Sequence, residues 1–285
     1  MANNFQTVTN YIINQLDLIY QAESKSQTLT TNSPLVTISK DGKEFKIPKY
    51  SMQGLANYDR SAGYNTGDVT VAFETKQANY ERARRFVIDI VDNMDTAGIA
   101  LAGLMSEFTR TQVIPEQDAF TFAKLAEKAT TNNVEVTFTE GAKVLEALNT
   151  AYAKMSDDQV PEGDRVLFIT PTLLKLAQSL DLIQNKQILN NFSSVVEVPQ
   201  ARFYSKIDLK NDNAGGYAKA DDGVELNFLI AHKPAVIKFD RHITSNMIDY
   251  TANQTHDGYI YKYRRVGIVD IYDNKEKGLY VSKKA

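Results

Sequence analysis

The chain has 285 residues, 43% of them hydrophobic, and a formal net charge of −3; a substantial core is within reach, and no overall basic field draws the molecule to nucleic acid. Cysteine is absent, which excludes disulfides, thiolate nucleophiles and zinc-thiolate centres and fits a reducing cytoplasm. MANNFQTVTN has no basic-then-apolar leader pattern, and no apolar run approaches the roughly 20 residues that cross a bilayer, so neither a signal segment nor membrane contact is expected.

In chain order, Val8, Ile12, Ile13, Leu16 and Ile19 recur at three- and four-residue spacing and predict a short amphipathic helix. A polar stretch, 21–33, leads to Pro34. Residues 1–33 read as an arm docked on another surface, or as a terminal helix on its own domain. Strand and turn texture follows: Val36 and Ile38 precede Asp41-Gly42, and Phe45 and Ile47 come after it, a strong hairpin pattern. Residues 58–68 form a polar loop, and the alternation of Val69, Val71 and Phe73 predicts the strand beyond. A two-stranded ribbon is marginal in water, and these strands carry few large apolar residues with which to bury surface in their own chain. The hairpin 34–80 is therefore expected to rest on a neighbouring molecule, or else to pack as an edge of its own domain.

Next stand the cations Lys76, Arg82, Arg84 and Arg85, then the apolar run 86–91. Glu74, Glu81 and Asp89 surround them, so ion pairs between subunits are favoured over phosphate contacts. A long helix is predicted over 93–111. It opens at the cluster Asp89, Asp92 and Asp95, where carboxylates complement the positive end of the dipole, and closes at Arg110. Met94, Ala97, Leu101, Leu104 or Met105, and Phe108 form its apolar stripe, and its span is roughly 30 Å. The helix is expected to end just before Pro115-Glu116-Gln117-Asp118, where a second helix with Ala119, Phe122, Ala123, Ala126 and Ala129 begins.

From Pro115 to about Ala235 the pattern is mixed α/β. Thr139 is the expected cap of a helix carrying Val144, Leu145, Leu148, Tyr152 and Met155. The run 165–169 reads as a buried strand, and Thr170-Pro171 as the N-cap and first residue of a helix with Leu173, Leu174, Ala177 and Leu180. Strands are predicted around Val195, Val196 and Val198, over 201–207 and over 224–231. Between the last two lies a flexible polar loop, Asn211-Asp212-Asn213-Ala214-Gly215-Gly216. The remaining residues return to strands: Tyr259, Tyr261 and Tyr263 alternate with polar or aliphatic neighbours, Asp273-Asn274 turns the chain, and Leu279-Tyr280-Val281 closes it.

The segment 69–128, with its strand, basic stretch, long helix and Pro115-Glu116-Gln117-Asp118, resembles the major capsid proteins of tailed bacteriophages, which share the Hong Kong 97 fold. The phrase Leu226-Asn227-Phe228-Leu229-Ile230-Ala231-His232-Lys233-Pro234-Ala235-Val236 is similar to one near the end of their axial domain. The resemblance implies an α+β fold of four parts: an N-terminal arm (1–33), an extended loop (34–80), a peripheral domain with a spine helix (81–115 and 236–285), and an α/β axial domain (116–235). It implies a shell subunit that assembles with itself into pentamers and hexamers of an icosahedral head around double-stranded DNA, bound without sequence specificity. Asp59, Arg60, Tyr64 and Asp68 of the extended loop would contact a neighbour, Lys76, Arg82, Arg84 and Arg85 would pair between subunits, and Asn211, Asp212, Asn213, Gly215 and Gly216 would form an axial-domain loop. A separate scaffolding protein, a portal and a decoration protein are the other partners implied. The location implied is the virion, after assembly in the bacterial host cytoplasm. An encapsulin-type compartment shell is the alternative.

Enzyme signatures are missing from the sequence. His232, His242 and His256 occur singly, without an H-E-x-x-H pair, and neither a G-x-S-x-G elbow nor a phosphate-binding P-loop is present. Asp92 and Asp95 are accounted for by helix capping, and 211–216 lacks the alternating acids of a calcium loop. No catalytic residue, metal or cofactor is expected. Lys43, Lys46 and Lys49 are candidates for the Lys–Asn crosslink of some relatives, but no partner Asn is identifiable, so non-covalent shells are expected.

Overall fold

The computed structural model describes residues 24–30, 37–38, 44–61, 63–91, 107–130, 132–179, 187–255 and 257–285. The expected amphipathic segment 8–19, the Asp41-Gly42 turn, His256, Leu180 and the body of the long helix, 92–106, lie outside the described residues.

Two sheets share one core. The first has five strands in the order β5-β13-β10-β6-β7: β5 (Asn133–Glu135), β6 (Arg165–Ile169), β7 (Ser194–Glu197), β10 (Leu226–His232) and β13 (Leu279–Lys283). Both faces are covered, which is why β6 and β10 read as unbroken apolar runs and not as an alternation. Val166, Phe168, Leu229, Ala231, Leu279 and Val281 face helix α1 (Ile114–Lys128) through Phe120, Phe122 and Leu125. The residues between them, Leu167, Ile169, Phe228, Ile230 and Tyr280, pack against α2 (Gly141–Asp157) and α3 (Pro171–Gln178).

The second sheet has three long strands, β11 (Val236–Ile248), β12 (Gly258–Ile271) and β4 (Tyr80–Asp89), antiparallel with β12 in the middle. Its near end, with Tyr80, Val236, Val269 and Ile271, enters the core that the first sheet shares with α1. Its far end carries Phe86, Tyr261 and Tyr263 against Phe108 and Val113. The tyrosine alternation is thus sheet and core packing, with Tyr259 set against Tyr250. The cations at 82–85 belong to a strand that the sequence pattern did not announce, because β4 carries charge on both faces.

Four local expectations change. Thr170 does cap α3, with Pro171 in its first turn, but α2 is preceded by Glu140 and not by Thr139. Pro115 does not open a separate helix: the backbone is helical from Glu107 through a π turn, Thr109–Val113, directly into α1. Proline clashes with the carbonyl four residues back and offers no N–H, and a wider π turn before it relieves both problems. The strand 279–283, expected beside the spine helix, instead pairs with β10 and β5 in the five-stranded sheet. Residues 24–30, expected within an arm, are built into the body, with Ser26 and Leu29 fully buried.

The extended ribbon consists of β1 (Thr37–Ile38), β2 (Glu44–Met52) and β3 (Val69–Gln77), all antiparallel. Its base is anchored by Phe45 and Ile47 against Ile237 and Ile268. We expect Leu29→Ala, which empties a core position, to cost about 2–5 kcal/mol of subunit stability. Tyr64→Ser on the ribbon should leave it unchanged; urea denaturation of both variants checks the contrast.

Candidate functional site

The ribbon is where the chain is least complete. Direct cross-strand partners point to the same side of a sheet, and the register couples Met52 with Val69, Tyr50 with Val71 and Pro48 with Phe73. Over these three pairs one face of the ribbon is therefore apolar, more so than the sequence pattern suggested, while toward the base the same face carries Lys46 opposite Thr75 and Glu44 opposite Gln77. It is uncovered, with Phe73 64%, Val69 66% and Met52 69% exposed. At the tip an Asp59–Gly63 bridge closes a turn that presents Arg60, and Tyr64, 91% exposed, meets Tyr58 edge to face. Asp68 lies at the neck, its N–H donated to Gln53. The four loop residues expected to touch a neighbour are thus all on the exposed tip and neck.

The opposite face of the ribbon is held down by charge. Lys76 Nζ lies 2.8 Å from Glu74, 2.7 Å from Asp273 and 3.5 Å from Asp270. Burial pulls the lysine pKa down, but the hydrogen bonds to Asp273 and Glu74 outweigh it, and the net shift is upward. Lys76 therefore finds its carboxylates in its own chain.

Arg82 and Arg84 project from the face of β4 that carries Phe86. Arg82 donates through Nε to Glu116 at 2.8 Å and through its terminal nitrogens to Asn211 Oδ1 (2.9 Å) and the carbonyls of Lys210 (2.8 Å) and Gly216 (3.3 Å). Arg84 donates to the Asn213 carbonyl. The loop of the hairpin β8 (Ile207–Leu209) and β9 (Tyr217–Lys219), expected to be flexible, is thus tied to β4 by two guanidinium groups. Its return rests on Gly215 and Gly216, whose φ of 66° and 76° is open to glycine without strain. Tyr80 also donates to Glu116, at 3.1 Å, and burial pushes its phenol well above the ordinary value. Arg85, on the other face of β4, is exposed, sits opposite Lys262, and has no ion pair among the described residues. Two groups separated by more than a hundred residues, the arginines and the 211–216 loop, are brought together; the ribbon tip is a separate surface.

Between β4, the π turn and this loop lies a cavity of about 560 Å³ whose walls include Phe86, Glu107, Phe108 and Tyr263. His232 is buried at the end of β10, with its pKa lowered by burial, and His242 is exposed beside Thr244.

The residue most deeply committed is Asp118, fully buried on α1. Its carboxylate accepts from Ser24 Oγ (2.7 Å), the Lys25 N–H (2.9 Å), the Ser26 N–H and Oγ (3.1 and 2.6 Å) and Arg202 (3.3 Å). Lys238 of β11 donates to the Ser26 carbonyl and Oγ, at 2.7 and 2.6 Å. Burial lowers the Lys238 pKa to about 8, opposed by the nearby Asp118 charge. The sequence pattern had a signal for this hub: Asp118 falls one helical turn before Phe122, on the core-facing side.

No family model matches the chain, and no curated protein matches it in sequence. Solved structures do match. The PhiM1 bacteriophage mature capsid aligns with a TM-score of 0.64 at 10% identity, covering 87% of this chain and 84% of that one. The capsid of the cyanophage P-SCSP1u gives 0.61 at 13% identity, covering 93% and 89%. The virus-like particle from Pyrococcus furiosus gives 0.57 at 10% identity, covering 99% and 100%. The chain has the α+β fold of these shell proteins, the Hong Kong 97-type capsid fold that the resemblance implied.

Asp118→Asn, which removes one partner of a buried charged network, is expected to lower stability by about 3–5 kcal/mol and to open 24–30 to limited proteolysis. The Lys238 pKa is lower folded, about 8, than its ordinary 10.5. Between those values the unfolded chain binds more protons, so this group makes stability rise with pH, by roughly 3 kcal/mol over the window. Urea melts from pH 7 to 10.5 should show that rise in the wild type and a flatter curve in Lys238→Met.

Proposed function

We propose that the chain is the major capsid protein of a tailed double-stranded DNA bacteriophage, assembling into pentamers and hexamers of an icosahedral shell around the genome. The observation that carries this is the uncovered apolar face of a ribbon anchored only at its base, on a chain with a capsid fold. Monomeric proteins rarely leave so continuous an apolar surface to water, and a neighbouring copy that covers it gains burial at about 25 cal/mol per Å². Asp59, Arg60, Tyr64 and Asp68 then contact the neighbour. Of the four basic residues expected to pair across subunits, Lys76 and Arg82 are engaged internally, and Arg85 is the cation best placed for an intersubunit pair.

In this reading 1–33 is the arm, although its last part is anchored by Asp118; 34–80 is the extended loop, 81–115 and 236–285 the peripheral domain, and 116–235 the axial domain, with strand 279–283 contributed to the axial sheet. Assembly takes place in the host cytoplasm with a separate scaffolding protein, and the finished shell engages a portal and a decoration protein. The slightly acidic chain (net charge −3) lines a head in which DNA is held without sequence recognition. The subunit acts by association, with no catalytic role. The full-length likeness to the Pyrococcus furiosus particle supports a second reading, a shell of the encapsulin type that encloses protein cargo.

Electron microscopy of the purified protein should show closed shells, and co-purifying DNA or cargo protein separates the two readings. Phe73→Ser combined with Val71→Ser should leave the isolated subunit folded by circular dichroism and suppress assembly in light scattering. Unimpaired shells from that variant would count against the ribbon as the intersubunit element. Boiled detergent samples should run as monomer, since the shells are held non-covalently.

A further inference from the structure

We propose that the cavity beside Glu107 is a socket for the Arg60 side chain of a second copy of the chain, an inference that rests on the shell-subunit reading above. The cavity, about 560 Å³, lies in the range of sites that bury a small ligand. Glu107 stands in its wall, and its Oε2 is buried with no hydrogen-bond partner among the described residues. A buried carboxylate oxygen without a donor is an unfavourable arrangement that native structures seldom leave in place. Of the cations lining this cavity, the two on β4 are committed elsewhere, Arg82 to Glu116 and the 210–216 backbone and Arg84 to the Asn213 carbonyl, while Lys210 lies in the wall on the hairpin side. A donor brought by a second copy would complete this carboxylate.

The chemistry of the walls specifies what that donor is. The rings of Phe86, Phe108 and Tyr263 line the same space, and a guanidinium both stacks on aromatic faces and bonds a carboxylate through two parallel N–H groups. The π turn Thr109–Val113 forms part of the wall, and such turns often mark functional sites. Among exposed cations, Arg60 is singled out by its position. It sits at the tip of the ribbon, in the turn closed by the Asp59–Gly63 bridge, is exposed, and has no ion pair among the described residues. Apolar neighbours Leu55, Tyr58 and Tyr64 are exposed around it, so the tip brings its own seal for the rim of the socket. The ribbon of one subunit ends in an exposed cation, and the body of the next offers a carboxylate oxygen without a donor among the described residues.

The test is a charge exchange in the full chain, read by light scattering and electron microscopy. Glu107→Arg and Arg60→Glu should each reduce the yield of shells by about tenfold or more, and the double variant should recover to within about twofold of wild type. A double variant as defective as the singles overturns the pairing. Should Glu107→Arg fail to fold, the absence of native cysteine supplies a second measurement. Glu107→Cys with Arg60→Cys should give disulfide-linked multimers on oxidation of assembled material, and neither single variant should; absence of that ladder overturns the socket. If the wild-type chain itself does not form shells, the shell-subunit reading falls and the socket with it, a result distinct from wild-type shells in which exchange and crosslink both fail.

Discussion

A carboxylate with no access to water survives in a folded protein only if donors surround it, and Asp118 is that constraint here. Its partners come from the segment 24–26, from Arg202 and, through Ser26, from Lys238 on β11. These elements are separated by up to 212 residues in the chain. One buried charge thus fixes the relation of α1 to the long sheet and to the start of the described chain. Apolar packing alone would permit small rotations among them. Hydrogen bonds near 2.6–2.9 Å to a single carboxylate do not.

Rigidity at that hub is set against incompleteness at the ribbon. The same strand alternation that anchors Phe45 and Ile47 turns Tyr50, Met52, Val69, Val71 and Phe73 outward. A one-residue slip would exchange the two faces, and the Lys76 contacts with Asp270 and Asp273 of the body oppose it. The result suits the proposed shell subunit: a body that holds its shape, and an appendage whose apolar face is left exposed. Within the body, Glu116 ties β4 to α1, since it accepts from Arg82 and Tyr80 on β4 while sitting in the first turn of α1.

Elements buried on two sides, or signalled by turn chemistry, were readable in advance. Strand 165–169, the Thr170-Pro171 helix start, the tyrosine alternation and the pairing of Thr37–Ile38 with Phe45–Lys46 all appear where their patterns place them. Elements whose side chains serve distant partners were not. Arg82 and Arg84 conceal a strand because their partners, Glu116 and the 210–216 backbone, are remote in sequence. Pro115 reads as a helix start because the π turn that accommodates it has no composition of its own. The last strand is expected with the peripheral domain and its spine helix, yet its hydrogen bonds go to β10 and β5.

By itself the sequence determined the buried runs and the ribbon with its polar loop, because these follow from periodicity and local turn preference; the fold class was implied by the resemblance to a family. Only the tertiary structure decided that 24–30 belongs to the body, that the arginines of β4 hold the 211–216 loop, and that Glu107 is left without a donor. Each of those depends on which distant groups meet, and the pairing of a charge with its partner is a property of the folded surface that no local pattern encodes.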